Sequence, residues 1–440
     1  MRILSKGFFW AVGMGLLTAG TSLADSLEEE LATLLIDHPQ IKAGQKTVEA
    51  RRQEISKSWA GYFPTLSSTG TIGPQYVDSP GERTRLQDQD HKVWSRTGII
   101  AGVTATQNLF NGYNTASLVK TARLTKEIAE LTLKGTRQNI LFEGTSAYID
   151  VLRQMRLIDL ARNNEMTIQR QLNLEDERVR RGSGIAVDVL QAKSRLQLAK
   201  ERRVNFEGAL EDSVSRYFQV YGHAPNLETI TDPVPPVEMI PSELERAIDI
   251  ALVENPALDN SNATVEVARE RRILVKSEYF PSFDLVGSWN FEKNNNAVVG
   301  VRRDYSVAVQ SSWDLFTGFS TSAGMMQAGY DYRASKDNHD FVARKVVEQT
   351  KLAWQALLTT RLRLELLENA VNIAGEVFDS RKKLREAGKE TVINVLDAEN
   401  EVINAQINFT SASYDERLAV FQLLQAMGRL NTVHLGLPEY

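Results

Sequence analysis

The side chains that most often act as metal ligands, nucleophiles or general bases form no recognisable site in this sequence. Cysteine is absent, which removes thiolate ligands, disulfides and cysteine nucleophiles. Aspartate and glutamate are frequent, but in helical stretches they are typical of a solvated face. The histidines are scattered without the spacing of a metal site, at His38, His91, His223, His339 and His434. The sequence therefore predicts neither an enzyme active site nor a bound metal or cofactor.

Composition indicates a folded chain whose function depends on its architecture. Of the 440 residues, 42% are hydrophobic and 24% are charged, which excludes wholesale disorder. The formal net charge of −5 argues against a nucleic-acid partner. No run of 18 apolar residues follows the N-terminal segment, so we expect no transmembrane helix in the mature chain.

The first residues have the pattern of a secretory signal peptide. Arg2 and Lys6 precede an apolar run, and Ser22-Leu23-Ala24 is a small-x-small cleavage site. We therefore expect residues 1–24 to be removed and the mature chain, beginning at Asp25, to be exported.

The sequence contains an internal duplication. The tripeptide YFP occurs at 62–64 and again 217 residues later, at 279–281. Further along, "NLFNGYNTAS" aligns with "DLFTGFSTSA", and "RGSGIAVDVLQA" with "EAGKETVINVLDA". Such ordered similarity predicts two copies of one structural unit. The expected organisation is a first repeat at 25–221, a proline-rich linker at 222–241, a second repeat at 242–430 and a tail at 431–440.

Each repeat contains a pair of amphipathic strands after YFP. Apolar and polar residues alternate there with period two, which is typical of strands with one apolar face. The expected strands are about 65–77 and 96–110 in the first repeat, and about 282–293 and 303–316 in the second. Polar loops join each pair, and the loop of the first repeat is the longer.

Long helices account for most of each repeat. A helix opens each unit, with His38-Pro39 and Asn255-Pro256 breaking it early. Proline-free heptad patterns then predict long helices at about 115–181 and 320–387, and Gly182 and Gly388 suit their C-caps. Shorter helices return along them. The opening and returning helices together match one long helix in length, so we expect them to stack end to end beside it.

Four amphipathic strands cannot close into a barrel, which needs about eight. A membrane sheet cannot leave its edges open. The sequence therefore predicts that the strands close with copies of themselves, as an outer-membrane barrel shared between protomers.

This ordered and duplicated set of motifs resembles the TolC-type outer-membrane efflux and secretion proteins across the whole mature chain. The resemblance implies a mainly α homotrimer, in which a helical tunnel continues into a shared 12-stranded β-barrel in the outer membrane of a Gram-negative bacterium. It also implies two partners, a periplasmic adaptor and an inner-membrane transporter, either ABC-type or proton-driven, and contact with outer-membrane lipid. "LIDLARNN" and "DVLQAKSRLQLA" are similar to the type I secretion branch, which exports proteins.

The resemblance also assigns a gate at the helix turns of the tunnel's inner end. Asp397 matches the second residue of an aspartate pair that rings the closed entrance, and Asn394 stands in the place of the first. Asp188 matches a first-repeat aspartate that holds the entrance shut. Where its family partners are a tyrosine and an arginine, this chain has Arg385 and Glu390.

These substitutions imply a rebuilt latch. We expect Arg385 to pair with Asp188, and Glu390 to pair with Arg181 or Lys389. The alternative is that all of them are ordinary exposed charges beside a turn, each contributing about 0–1 kcal/mol.

A second set of residues is expected at the junction of barrel and tunnel. Proline ends the helix, glycine permits the turn, and the aromatic side chains lie at the membrane interface. The set comprises Tyr62, Phe63, Pro64, Phe110, Gly112, Tyr279, Phe280, Pro281, Phe316 and Gly318.

Two other classes of protein share part of this pattern. A coiled-coil scaffold would explain the heptads, but neither the signal peptide nor the alternating strands. A periplasmic adaptor would be exported, but it would normally have one helical hairpin and a lipoyl-like β domain. An outer-membrane export channel explains all of these features.

Overall fold

The computed structural model describes residues 26–77, 94–296 and 298–437. The expected signal peptide and the first inter-strand loop, 78–92, lie outside these ranges, as does His91. Within the described ranges, no helix is both long and apolar enough to cross a membrane.

The two repeats contain the same elements in the same order. The first consists of α1 (Leu27–Asp37), α2 (Pro39–Trp59), β1 (Thr65–Val77), β2 (Trp94–Phe110), α3 (Asn114–Arg180) and α4 (Ala186–Tyr221). The second consists of α5 (Leu244–Glu254), α6 (Pro256–Ser277), β3 (Ser282–Asn295), β4 (Val298–Ser312), α7 (Ser320–Glu386) and α8 (Val392–Ala426).

Each opening helix is interrupted where a proline follows a capping side chain. His38 separates α1 from α2, and its Nδ1 accepts a hydrogen bond from the Gln40 N–H at 3.3 Å. Asn255 separates α5 from α6, and its Oδ1 accepts from the Ala257 N–H at 2.9 Å. A helix tolerates proline at its first position, because an N–H group there would have no partner within the helix. Each opening helix is therefore divided into two consecutive helices, α1 and α2 in the first repeat and α5 and α6 in the second.

The strands form one antiparallel sheet in the order β1-β2-β3-β4, so β2 and β3 join the two repeats. The last strand differs from the sequence prediction of 303–316, because β4 begins at Val298 and ends at Ser312. Beyond it, the Trp313 indole donates to the main-chain oxygen of Tyr279 at 3.3 Å. This bond turns the chain toward α7 before the strand can continue.

The helices form a wall in which long helices alternate with stacked pairs. Each of α3 and α7 has 67 residues, about 100 Å at ~1.5 Å per residue. One side of α3 contacts α2 and then α4, while α6 and then α8 fill the space between α3 and α7. Each stacked pair of helices therefore spans about the same length as the long helix beside it, as predicted from the sequence.

The main hydrophobic core lies at the middle of α3. Ile140, Ala147 and Val151 are fully buried there, and so is Tyr148 on the adjacent stripe. The Tyr148 hydroxyl donates to the main-chain oxygen of Thr231 at 2.8 Å, which fixes the linker against the wall. A smaller core near the turns is formed by Ile168, Leu172, Val189, Ala192, Leu196, Ala199, Val392 and Leu396.

Candidate functional site

The two long helices end in glycine turns of the same design. Gly182 and Gly388 have φ angles of 78° and 73°, and nothing lies within 4 Å of a Cβ added at either position. In both turns the glycine and the next residue donate back into the last helical turn, as in a Schellman motif. The turns place the expected gate residues at one end of the wall.

Arg385 is the centre of the charged cluster at these turns. Its guanidinium donates to Glu175 Oε2 at 3.1 Å and to the main-chain oxygen of Glu390 at 3.1 Å. Asp188 lies further away, with its carboxylate 4.0 Å from Arg385. The expected Arg385–Asp188 pair is therefore present only as a long contact, and Glu175 is the nearer partner.

Glu390 was expected to pair with Arg181 or Lys389, but among the residues that the structure describes it forms an ion pair with neither. The Arg181 guanidinium pairs with Glu177 on its own helix at 2.9 Å. Glu390 instead accepts from the Asn394 amide at 2.5 Å and from the Thr391 N–H at 3.0 Å, at the start of α8. The Asn394 hydrogen bond is the main cause that lowers the pKa of Glu390. Glu390 folds back because the N–H groups of a helix start attract a carboxylate.

Asp397 lies within hydrogen-bonding distance of Arg195, an ion pair that joins α8 to α4 and so links the two repeats. Asn394 forms two hydrogen bonds at this turn. Its side-chain amide donates to Glu390, and its main-chain oxygen accepts from Arg381 at 3.3 Å. In the part of the chain that the structure describes, three ion pairs near the turns join the repeats, from Arg385 to Glu175, from Arg385 to Asp188 and from Arg195 to Asp397.

Sequence reasoning missed two buried acids in this region. Glu175 and Glu399 are each about 7% exposed or less. Both occupy the heptad stripe: Glu175 follows Ile168 and Leu172 at the 4-3 spacing, and Glu399 lies between Leu396 and Ile403. A charged residue at a core heptad position was the signal available in the sequence.

Glu399 has the most perturbed carboxyl group of the cluster. Its Oε2 has no hydrogen-bond partner among the residues that the structure describes. Burial raises its pKa to about 7, and the opposing effects of a hydrogen bond with Gln171 and of nearby Arg170 and Lys382 do not offset this. Near neutral pH the group is poised between its neutral and ionised forms.

At the other end of the wall, the residues expected at the junction lie between sheet and helices. The Phe110 ring is 5.8 Å from Tyr113 and 6.4 Å from Phe283, centroid to centroid. Gln107 donates to the main-chain oxygen of Tyr62 at 3.1 Å. Many of these aromatic side chains are exposed on the isolated chain, including Tyr62, Phe63, Tyr279, Phe280 and Phe316. Pro64 and Pro281 each precede the first residue of a strand.

The turns from β2 into α3 and from β4 into α7 use left-handed backbone. Gly112 and Gly318 have φ angles of 64° and 60°, and the residues after them, Tyr113 and Phe319, are also left-handed. The two glycines differ in surroundings. A Cβ on Gly112 would lie 2.6 Å from the Ser277 main-chain oxygen, whereas one on Gly318 would meet nothing within 4 Å. Gly112 therefore lies directly against the end of α6, which belongs to the second repeat.

The polar side chains described at these sites interact through hydrogen bonds and ion pairs. Across residues 26–77, 94–296 and 298–437, no group of three or more histidine or carboxylate side chains is arranged to hold a metal ion. The arrangement can hold helix ends together or release them as its charges change.

Known proteins resemble this chain along nearly its whole length. The family model described as outer membrane efflux protein matches residues 31–223 and 247–429, one match for each repeat. The outer membrane efflux protein BepC of Brucella suis is 23% identical over 422 residues, covering 96% of this chain and 89% of BepC. The alkaline protease secretion protein AprF of Pseudomonas aeruginosa is 25% identical over 414 residues, covering 92% of this chain and 84% of AprF.

Solved structures share the fold. The crystal structure of the outer membrane protein VceC from Vibrio cholerae matches with a TM-score of 0.77 at 14% identity, covering 91% of this chain and 96% of VceC. The fold is that of the outer-membrane channels, a helical tunnel continuous with a β-barrel. Neither the adaptor nor the scaffold alternative accounts for these matches. The chain belongs to the outer membrane efflux protein family, whose members are channels of the Gram-negative outer membrane.

Proposed function

We propose that three copies of this chain build an export tunnel through the periplasm and outer membrane. The observation that carries the proposal is the four-stranded sheet. Within the described residues, β1 pairs only with β2 and β4 pairs only with β3, so each copy offers two strand edges. Three copies supply twelve strands, which close a barrel and leave no edge open in the membrane.

The tunnel works with a periplasmic adaptor and an inner-membrane transporter, as part of a three-component system. The similarity to AprF, named for alkaline protease secretion, favours protein cargo and the type I secretion branch. Such a system favours an ABC-type transporter over a proton-driven one. The similarity to BepC, named as an efflux protein, supports small-molecule cargo as the second candidate.

The charged cluster at the glycine turns acts as the gate. Arg385, Asp188, Asp397, Asn394 and Glu390 lie at one end of the wall, and trimer symmetry brings each of them three times around one axis. Ion pairs between neighbouring turns hold that end closed. Gly182 and Gly388 shape the turns, and the aromatic residues of the junction anchor the opposite end at the membrane interface.

Cross-linking and native mass measurement of the detergent-solubilised protein test the assembly. We expect a trimer that is extracted from outer membranes by detergent and not by salt. A stable monomer, or release by salt alone, would contradict the barrel. The two cargo classes are distinguished in cells that lack the chain. Loss of secretion of a protein substrate would indicate protein cargo, and loss of export of a small hydrophobic dye would indicate small-molecule cargo.

A further inference from the structure

The β-sheet has one apolar and one polar face, and the strand register assigns every residue to one of them. Opposite neighbours along β3 and β4 are Leu285 with Val309, Trp289 with Tyr305, and Phe291 with Arg303. Side chains alternate between the faces along each strand, so these residues share a face. We call it the lipid face; it also carries Leu66, Ile72, Ile99, Val103, Lys293, Val301 and Val307.

Charge is distributed unequally between the two faces. The described strands contain three carboxylates, Asp284, Glu292 and Asp304, and all lie on the polar face. Arg302, also on that face, is paired with Asp304 at 3.0 Å. The lipid face carries two cations, Lys293 and Arg303, and no carboxylate within the described strands. These two cations therefore lack an anionic partner of the sheet's own.

Side chains on the lipid face change in order along β3 and β4. Phe283 opposite Ser311 forms the rung nearest the helices, and the two rungs after it are mainly aliphatic, with Leu285 opposite Val309 and Gly287 opposite Val307. The next are aromatic, with Trp289 opposite Tyr305, and the rungs nearest the hairpin turn contain Arg303 and then Lys293. This order matches the passage from hydrocarbon through the aromatic girdle to lipid headgroups. The cations thus lie at headgroup depth, at the end far from the helices.

We propose that Lys293 and Arg303 bind the phosphate of an anionic glycolipid headgroup in the outer leaflet. The proposal rests on the proposed function, which puts the helices in the periplasm and this hairpin turn at the cell surface. The two residues occupy diagonal positions on adjacent strands, since Lys293 pairs with Val301, two residues before Arg303. Diagonal neighbours are about 7–8 Å apart, a span that one phosphate bridges.

The side chains suit this partner. Arg303 lies over the Phe291 ring at 6.0 Å, which orients its guanidinium along the sheet surface. Guanidinium groups bind phosphate oxygens bidentately, and the lysine ammonium adds a point charge. Both have long apolar stems that reach from the barrel wall to the headgroup layer.

Native mass spectrometry of the detergent-solubilised trimer tests the proposal by lipid titration. The probes are hexa-acylated lipid A with two phosphates, its form without phosphates, phosphatidylcholine and free inorganic pyrophosphate. We expect the wild-type trimer to retain the diphosphorylated lipid, and Lys293→Gln/Arg303→Gln to bind it roughly thirtyfold more weakly. The matched control is Arg302→Gln, which removes the adjacent arginine on the polar face and should bind as wild type.

The outcomes of this titration separate failure of the lipid site from failure of the proposed trimer. Equal binding by wild type and the double variant overturns the lipid site, as does an equal loss in Arg302→Gln. Pyrophosphate competing as strongly as the lipid would show a free-phosphate site instead. Binding of the dephosphorylated lipid with the same affinity also overturns it. If the wild-type protein is not a trimer, the proposed function fails, whereas a conducting trimer without lipid preference refutes this inference alone.

Discussion

Glu399 makes the packing of α8 against the wall sensitive to pH. Its folded-state pKa of about 7 lies above the ordinary value of 4.5 for a glutamate, because the buried site favours the neutral acid. As pH rises from about 4.5 the unfolded chain ionises first, so stability falls until about pH 7 and stays low above it. The full loss is on the order of 3 kcal/mol per chain.

We therefore expect Glu399→Gln to reduce the pH dependence of stability. Thermal melting of the solubilised trimer between pH 5 and pH 8 measures it. Wild type should melt at a lower temperature at pH 8 than at pH 5, and the variant should show a smaller difference. Glu390→Gln is the control, because Glu390 is a partly exposed acid in the same turn region whose pKa is lowered and not raised. An unchanged pH dependence in Glu399→Gln would mean that the carboxyl is ionised in the folded protein.

We expect Arg385 to contribute more than Asp188 to holding the proposed gate closed. Arg385→Ala removes the partner of the buried Glu175, which then keeps only Arg178 at 2.8 Å. The loss of a hydrogen bond to a charged group is about 1–3 kcal/mol per chain. Asp188→Ala removes only a 4.0 Å contact.

Planar-bilayer recordings should show higher conductance for Arg385→Ala than for Asp188→Ala, and both above wild type. Arg361→Ala is the control, since Arg361 lies on the same long helix as Arg385 but forms its ion pair with Glu416 of α8, away from the turns. Should Arg385→Ala conduct like Arg361→Ala, the cluster is an ordinary set of surface charges and the gate lies elsewhere.

Sequence reasoning at the residue scale identified the turn but not its bonds. The positions of the turn glycines and of the charges around them could be predicted, because the heptad period and the repeated glycine motif depend on local chain geometry. The partners of Arg385 and Asp397 depend on how two repeats face each other across the wall. Glu175 and Arg195 come from α3 and α4, far away in the sequence, so no local pattern pairs them.

At the scale of elements, Gly112 and Gly318 form a natural pair for testing the junction. Alanine at either position must adopt a left-handed backbone, which costs about 1–2 kcal/mol. Only at Gly112 does the new Cβ also meet the Ser277 oxygen. We expect Gly112→Ala to lower the yield of folded trimer in the outer membrane, and Gly318→Ala to lower it much less. Equal yields would show that α6 can move away from the turn.

Helices were easier to predict than strands. The long helices and their breaks follow from heptads, prolines and glycines, which act within a few residues. The end of β4 could not be predicted, because 313–315 continues the alternating pattern. The indole of Trp313 nevertheless donates to the main-chain oxygen of Tyr279, just after the end of α6. A contact between distant elements outweighed the local preference there.

At the scale of the whole molecule, the linker between repeats is fastened across the wall at Asp232. Its carboxylate accepts from the Tyr414 hydroxyl at 2.8 Å and from Arg417 at 3.0 Å on α8, and from Arg156 at 3.3 Å on α3. Burial acts to raise the pKa of Asp232, but these hydrogen bonds outweigh it and the pKa is lowered. The stabilisation is therefore present near pH 7 and is lost as pH falls through the folded-state pKa.

Asp232→Ala should destabilise the trimer at pH 7 by about 2 kcal/mol per chain, because two arginines and a tyrosine lose an anionic partner. Melting temperature at pH 7 and pH 3 measures the effect, which should shrink at the lower pH. Glu228→Ala, an exposed acid in the same linker, should match wild type at both. A similar loss in the two variants would mean that linker charge in general, and not this attachment, matters.

The pairing of β2 with β3 gives the chain a particular order of maturation. Ile99 pairs with Lys293, so the inner edge of the first hairpin stays open until α3, α4 and the linker have followed it. Pairings between distant residues form slowly, and open edges promote aggregation. A chain crossing the inner membrane from its N-terminus therefore exports the open edge of β2 first and the strand that covers it, β3, much later. We expect the time spent with that edge uncovered, rather than final stability, to limit how much channel a cell can assemble.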